Sequence, residues 1–235
     1  MNRTKIPWCD YSWNPNGQGC PHKCWYCYAM KGARRNYFMH LALYMKGKRK
    51  NPPCELCRDF VPHFHPERLK QPWEVKTPSK VFVDSTADLF ADETKPEWRE
   101  KIFDSMLWCP VKHTFMMLTK KPENISDAIF PDNFWFGVTV TQQSEVDKID
   151  RLRQVNAKVR FVSFEPLLGY IKPDLTDIQW IIIGKLTGSR KIKLDYQWVD
   201  TIFGEAQDLG IPVFLKNNLG LEDPIQEFPE EAIRK

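Results

Sequence analysis

Runs that are apolar almost throughout recur along the chain at residues 80–85, 114–119, 134–140, 159–165, 179–184 and 211–216. They are rich in β-branched and aromatic side chains. Apolar residues at consecutive rather than alternate positions predict strands buried on both faces. Between some of these runs the period changes. Trp98, Ile102, Met106 and Leu107 fall near helical spacing within 97–107. Val146, Ile149, Leu152 and Val155 do so within 145–155, and Val199, Ile202, Phe203 and Ala206 within 196–209. Such strand–helix alternation predicts a parallel α/β fold. A further strand is expected within 8–13. The six or seven resulting units suit an open α/β sheet and a partial barrel equally well.

Residues 46–78 break the alternation, with prolines at 52, 53, 62, 66, 72 and 78 and little periodicity. They read as an insertion between the first two strands of one domain spanning 1–235. The tail, 221–235, is polar and proline-punctuated, and is expected to wrap or fray. The chain has 235 residues, 42% of them hydrophobic, enough for one sizeable core. No apolar run approaches the ~20 residues that span a bilayer, and residues 1–8 lack the apolar centre of a signal peptide. A cytoplasmic protein with no membrane partner is expected. The net charge of +4 is mildly basic. It concentrates at Lys31, Arg34, Arg35, Lys46, Lys48, Arg49 and Lys50, beside Tyr37, Phe38 and Tyr44. A solvated helix face and a phosphate-contacting surface on which bases stack both fit this stretch.

Cys20, Cys24 and Cys27 stand in the run Gly19-Cys20-Pro21-His22-Lys23-Cys24-Trp25-Tyr26-Cys27-Tyr28. Three closely spaced thiolates can hold an iron–sulfur cluster. A cubane has four irons, so three ligands leave one iron open, and an open metal position points to chemistry. Two other readings stand beside this one. Zinc usually takes four protein ligands, for which His22 would have to serve inside a cramped loop. The three cysteines could also be unrelated. Seven cysteines is an odd count, and clustered thiols in a cytoplasmic chain point to metal rather than disulfides.

The cysteine run resembles the cluster loop of the radical S-adenosylmethionine superfamily. The chain is similar to one branch of it, small and mostly uncharacterised proteins common in prokaryotes and phage genomes. The similar stretches are Trp13-Asn14-Pro15 with the cysteine run, Val81-Phe82-Val83-Asp84-Ser85 with Asp88-Leu89-Phe90, and His113-Thr114-Phe115 with Leu118-Thr119-Lys120-Lys121-Pro122. Phe136-Gly137-Val138, the run 161–169 and Trp180-Ile181-Ile182-Ile183-Gly184 continue it. The resemblance implies an α/β partial (β/α)6-type TIM barrel. It also implies a [4Fe-4S] cluster on Cys20, Cys24 and Cys27, with S-adenosylmethionine chelating the open iron. An electron donor is the implied partner, and a deoxyadenosyl radical that abstracts hydrogen is the implied chemistry. By the same resemblance Tyr26 lies near the cofactor's adenine. The superfamily's Gly-Gly-Glu-like run after the second strand is absent, and Asp84-Ser85-Thr86 stands in its place. After the sixth strand the branch's Gly-Gly-Glu-Ser-Gly-like run is replaced by Gly184-Lys185-Leu186-Thr187-Gly188, which removes a carboxylate.

Parallel barrels place their sites at the carboxyl ends of the strands. Here those ends carry Asp84, Ser85 and Thr86, then Thr119, Lys120 and Lys121, then Thr139 and Thr141, then Glu165, Lys185, and Lys216 with Asn217. Ordinary solvent-facing termini account for part of this set. Glu165 and Lys120 are the candidate catalytic residues. Tyr26, Asp84, Ser85, Thr119, Thr139 and Glu165 are the candidates for cofactor contact. Glu165 closes a nearly apolar strand, and a carboxylate there needs a partner. A substrate, a ribose, or a salt bridge to Lys120 or Lys185 would each supply one.

Cys54 and Cys57, followed by His63 and His65, have the ligand types of a zinc or auxiliary site, but not the usual finger spacing. Cys9 could contribute there, and free cysteines in a proline-rich loop are the alternative. Cys109 reads as ordinary core. The leading expectation is a radical S-adenosylmethionine enzyme acting on an unidentified substrate, with nucleotide or nucleic acid favoured. The alternative is a non-catalytic iron–sulfur module that binds nucleic acid or senses redox state.

Overall fold

The computed structural model describes residues 1–188 and 192–230. Eight strands form one sheet whose spatial order is the chain order: β1 (Asn2–Arg3), β2 (Tyr11–Trp13), β3 (Lys80–Val83), β4 (Thr114–Thr119), β5 (Phe134–Thr139), β6 (Val159–Leu167), β7 (Trp180–Lys185) and β8 (Val213–Leu215). β1 pairs antiparallel with β2, and every later neighbour pair is parallel. The fold is therefore mixed α/β around a mostly parallel sheet, as the apolar runs predict. The expected strand positions agree with the observed ones to within a few residues, and β1 is an addition.

Parallel neighbours need crossovers. β2 reaches β3 through α1 (Tyr28–Met45), α2 (Glu55–Arg58) and α3 (Gln71–Glu74). α4 (Pro96–Leu107) joins β3 to β4, α5 (Asp147–Arg153) joins β5 to β6, and α6 (Tyr196–Asp208) joins β7 to β8. Strictly sequential order with crossovers of one hand puts the connections on one face of the sheet. The packing follows that rule. Ile102 and Met106 of α4, Ile149 and Leu152 of α5, and Val199, Ile202 and Ala206 of α6 share one cluster with Val81, Val83, Phe115, Met117, Phe134, Phe136, Val162, Phe164, Ile181 and Ile183.

The intervening strand positions point the other way, because side chains alternate along a strand. Phe82, Met116, Trp135, Phe161, Trp180, Ile182 and Phe214 form a second cluster with Trp8 and Cys9, and no helix contributes to it. Trp180 is its hub, with the rings of Phe161, Trp135, Trp8, Phe214 and Phe228 all within 6.3 Å. Phe228 stacks on Trp180 at 5.3 Å, and Trp180 Nε1 donates to the Glu227 carbonyl at 2.9 Å. So the tail wraps under this face as far as residue 230, while 231–235 lie outside the described residues. The space is tight. A Cβ on Gly137 would stand 2.5 Å from the Phe161 ring, so only glycine fits that position of β5.

α1 is the exception to the packing logic. Over its 18 residues only Ala29 and Ala33 are buried. Its exposed surface carries Lys31, Arg34, Arg35, Phe38 and Met39, and its sequence has no acidic residue. No helix among the described residues is long and apolar enough to cross a membrane.

Candidate functional site

The loop between β2 and α1 carries Cys20, Cys24 and Cys27, all free thiols and all half-buried. Cys27 caps α1, its Sγ accepting from Met30 N–H at 3.3 Å. The unpaired N–H groups of a helix start favour negative charge on a sulfur placed there. Cys27 N–H in turn donates to the Cys24 carbonyl at 2.9 Å. Burial pushes the Cys20 thiol up to about 12, against a backbone hydrogen bond from His22 that acts to lower it.

One buried carboxylate ties this loop to the sheet. Asp88 follows β3 and accepts four hydrogen bonds. They come from His22 Nε2 at 2.7 Å, Lys120 N–H at 3.0 Å, Thr119 Oγ1 at 2.7 Å and Phe90 N–H at 3.0 Å. Burial alone would raise its pKa. The hydrogen bonds from His22, Lys120 and Thr119 outweigh that and hold the carboxyl below its ordinary value. His22 thus gives its Nε2 to Asp88, which fixes the ring relative to the end of β3.

The residues after β3 are engaged by the segment that leads into the loop. Asn14 Oδ1 accepts from Ser85 Oγ at 3.1 Å and from Thr86 N–H and Oγ1, both at 3.0 Å. Asp84 adopts a left-handed φ of 54° and is buried, with its oxygens accepting from Asn16 N–H at 3.1 Å and Asn16 Nδ2 at 2.8 Å. Burial raises the Asp84 carboxyl to about 7. Ser85 also presents its carbonyl to Tyr28 Oη at 2.6 Å.

The helix-free face ends in polar residues at the carboxyl ends of the strands. Lys120 Nζ donates to Tyr26 Oη at 3.0 Å, linking the cysteine loop to the end of β4. Burial lowers the Lys120 pKa and raises that of Tyr26, which Cys24 raises further. Thr139 closes β5, and Thr141 donates through its N–H and Oγ1 to Glu145, both at 2.7 Å. Glu165 pairs with Lys216. Its cation therefore comes from the end of β8, not from Lys120 or Lys185. A Cβ on Gly184 would stand 3.0 Å from Lys216 Cδ and 3.1 Å from Glu165 Cδ, so the small residue of β7 makes room for that pair. Thr119 points the other way, to Asp88.

Two further features lie against the segment that leads into the cysteine loop. Cys54, Cys57, His63 and His65 place four ligand atoms within 4.8 Å of one another, the arrangement of a site that can bind a metal such as zinc. Cys9 has no part here, being buried with Trp8 in the helix-free cluster. Beside this group opens a cleft of about 680 Å³, lined by Gly17, Gln18, Tyr37, Arg49, Cys57 and Arg68 among others. It does not reach Lys120, Glu165 or Lys216.

A family model described as a protein of unknown function (DUF5131) matches residues 3–225. The chain belongs to the DUF5131 family. No curated protein and no solved structure matches it.

Sequence reasoning found the cysteines, the strand-end residues and the second Cys/His group. It missed Asp88, Asn14 and Asn16 as the residues that hold the loop. The available signal was a lone acid five residues beyond an apolar strand, and nothing local distinguishes it from a surface carboxylate. Asp88→Asn would turn one acceptor oxygen into a donor facing two donors. It is expected to destabilise the chain by about 2–4 kcal/mol in chemical denaturation at pH 7. The native Asp88 pKa lies below the unfolded value of about 3.9, so its contribution is present above that pH and is lost as pH falls through the native value. The two stability curves should converge in acid. A constant gap down to full protonation would contradict the assignment.

Proposed function

We propose that this DUF5131 chain is a radical S-adenosylmethionine enzyme, its sheet a partial (β/α) barrel whose mouth holds the cofactors. The observation that carries the reading is the placement of three free, half-buried cysteines on one loop at the carboxyl ends of parallel strands. Strictly sequential strand order with helices on one face supports the barrel, since an open doubly wound sheet would reverse order and cover both faces. The cysteine spacing and the stretches that resemble the superfamily support the cofactors.

The donor set fits a cluster better than a single ion. Three cysteines leave one iron of a cubane open, whereas a structural zinc would need a fourth protein ligand beside them. Cys20, Cys24 and Cys27 would hold the iron, with N–H groups of His22 and Met30 directed at two of the sulfurs. When bound, the cluster and S-adenosylmethionine supply one-electron cleavage of the sulfur–C5′ bond and the hydrogen abstraction that follows. The chain's own residues position and shield. Tyr26, held by Lys120, closes one side of the mouth. Thr139 offers a hydroxyl beside it, and the Glu165–Lys216 pair sets a fixed charge pattern for polar groups of cofactor or substrate. Asp84 and Ser85 act through the loop they hold.

The partner class rests on α1 and the turn after it. Lys31, Arg34, Arg35, Lys46, Lys48, Arg49 and Lys50 are all exposed, with Phe38 58% exposed and Tyr44 beside them. A long helix with little burial, no acid, several bases and exposed rings suits a single-stranded nucleic acid, through phosphate contacts and base stacking. The non-catalytic module is the outcome if the cluster forms but S-adenosylmethionine is never cleaved.

Anaerobic reconstitution is expected to load about four irons per chain, and Cys24→Ala to lose the cluster's absorption and its paramagnetic signal. An unchanged cluster in that variant would overturn the reading. For the partner, affinity for a single-stranded oligonucleotide should fall steeply with salt. Replacing Lys48, Arg49 and Lys50 together should lower the log–log slope by roughly 2, at about 0.7 per phosphate contact. Absence of binding at low salt would reject nucleic acid.

A further inference from the structure

We propose that Cys54, Cys57, His63 and His65 bind one zinc ion in a closed, structural site, and that this ion braces the segment leading into the cysteine loop. The first argument is distance. Cys54 Sγ lies 3.3 Å from His63 Nε2, and Cys57 Sγ lies 3.4 Å from His63 Nε2 and 3.5 Å from His65 Nε2. Zinc bonds of about 2.3 Å to sulfur and about 2.05 Å to nitrogen, at tetrahedral angles, give a sulfur–nitrogen edge of about 3.5 Å. The two Nε2 atoms stand 2.8 Å apart, and need to open by roughly half an ångström to reach the corresponding nitrogen edge.

The second argument is the direction of the lone pairs. His63 Nδ1 meets the Val61 carbonyl at 2.7 Å, and His65 Nδ1 meets Glu67 Oε1 at 2.6 Å. Both partners accept only, so each Nδ1 carries the proton and each neutral ring turns a bare Nε2 lone pair inward. Two such lone pairs facing each other at 2.8 Å repel, and a cation set between them and the two sulfurs relieves this. Fixing the Nδ1 proton on a carbonyl or carboxylate is also how proteins orient histidines that ligate metal. Both sulfurs bind as thiolates. The product, one dication with two thiolates and two neutral imidazoles, is uncharged, which suits a half-buried place. A tetrahedral set of two sulfurs and two nitrogens selects zinc, and four protein ligands leave no open position for catalysis.

The third argument gives the ion its task. Residues 15–19 lie directly against the site. His65 N–H donates to the Pro15 carbonyl at 2.7 Å. Gly17, with φ +68°, passes so close that a Cβ would stand 2.6 Å from His63 Cε1, and a Cβ on Gly19 would stand 2.3 Å from the Val61 oxygen. The Gln18 backbone hydrogen-bonds Cys57. Cys20 follows at once. The proline-rich insertion thus works as a metal-clamped wall, and the glycines are the residues that let the loop lie on it.

The test uses the full chain. Purified protein should carry about one zinc, retained in Cys24→Ala and lost in Cys57→Ser. Should Cys57→Ser fail to fold, the wild type decides. Blocking its thiols with an organomercurial should release the zinc to a colorimetric chelator, and cobalt substitution should give tetrahedral ligand-field bands with thiolate charge transfer. Zinc lost in Cys24→Ala, retained in Cys57→Ser, or absent from a folded wild type whose cobalt form is octahedral would each overturn the site. Removing the ion with a chelator should raise amide exchange in residues 14–20 at least about tenfold while β5 and β6 stay protected. Unchanged exchange there would overturn the bracing role. Zinc content is read without iron, so these results stand whether or not the 20–27 loop takes a cluster.

Discussion

Asp88 is the constraint on which the cysteine loop depends. A carboxylate taken out of water is costly unless its lone pairs are filled, and here the filling groups come from three separate places. His22 belongs to the cysteine loop, Thr119 and Lys120 to the end of β4, and Phe90 to the turn beside Asp88 itself. Moving any one of them strands a buried charge, so the cost of displacement is shared across the set. The thiols of the 20–27 loop inherit a fixed position relative to the strand ends. Asn14 and Asp84 do the same one turn earlier, holding the entry segment to the end of β3.

Strand order explains why those ends matter. With every parallel neighbour next in sequence and the helices gathered on one face, the other face is left to the strands' alternate side chains. Its lower part is filled with rings around Trp180, closed from beneath by Phe228. Its upper rim is polar, and Lys120, Thr139, Glu165 and Lys216 arrive there from β4, β5, β6 and β8. Tyr26 joins them from the cysteine loop through Lys120. A dry floor under a polar rim lets charged groups act strongly on whatever is bound between them. The Cys54, Cys57, His63 and His65 group lies against residues 15–19, which lead into that loop.

Much of this architecture was legible in the chain. The buried strands announced themselves because both faces are covered and their apolar runs are uninterrupted, and α4, α5 and α6 because each has one apolar stripe. The position of Glu165 near the end of a strand followed from the same pattern, although β6 continues past it to Leu167. Its partner did not. Lys216 is 51 residues away, and only strand order decides which lysine meets the carboxylate. Asp88 and His22 are separated by 66 residues, beyond the reach of any local period. α1 was hard to read for the opposite reason. It lacks an apolar stripe because it has almost nothing to pack against, and its bases and rings remain outside. Cys54, Cys57, His63 and His65 were visible as ligand types but not as a site, since the turn that folds the histidines back on the cysteines, with Phe60 at a left-handed φ of 57°, has no local period to announce it.

The account's central claim is that the 20–27 loop and the polar rim form one radical S-adenosylmethionine site. The most direct measurement is to incubate reconstituted, chemically reduced chain anaerobically with S-adenosylmethionine and quantify the products. The account predicts 5′-deoxyadenosine and methionine in equal amounts, formed by wild type and not by Cys24→Ala. Intact S-adenosylmethionine over a fully assembled, reduced cluster would contradict it.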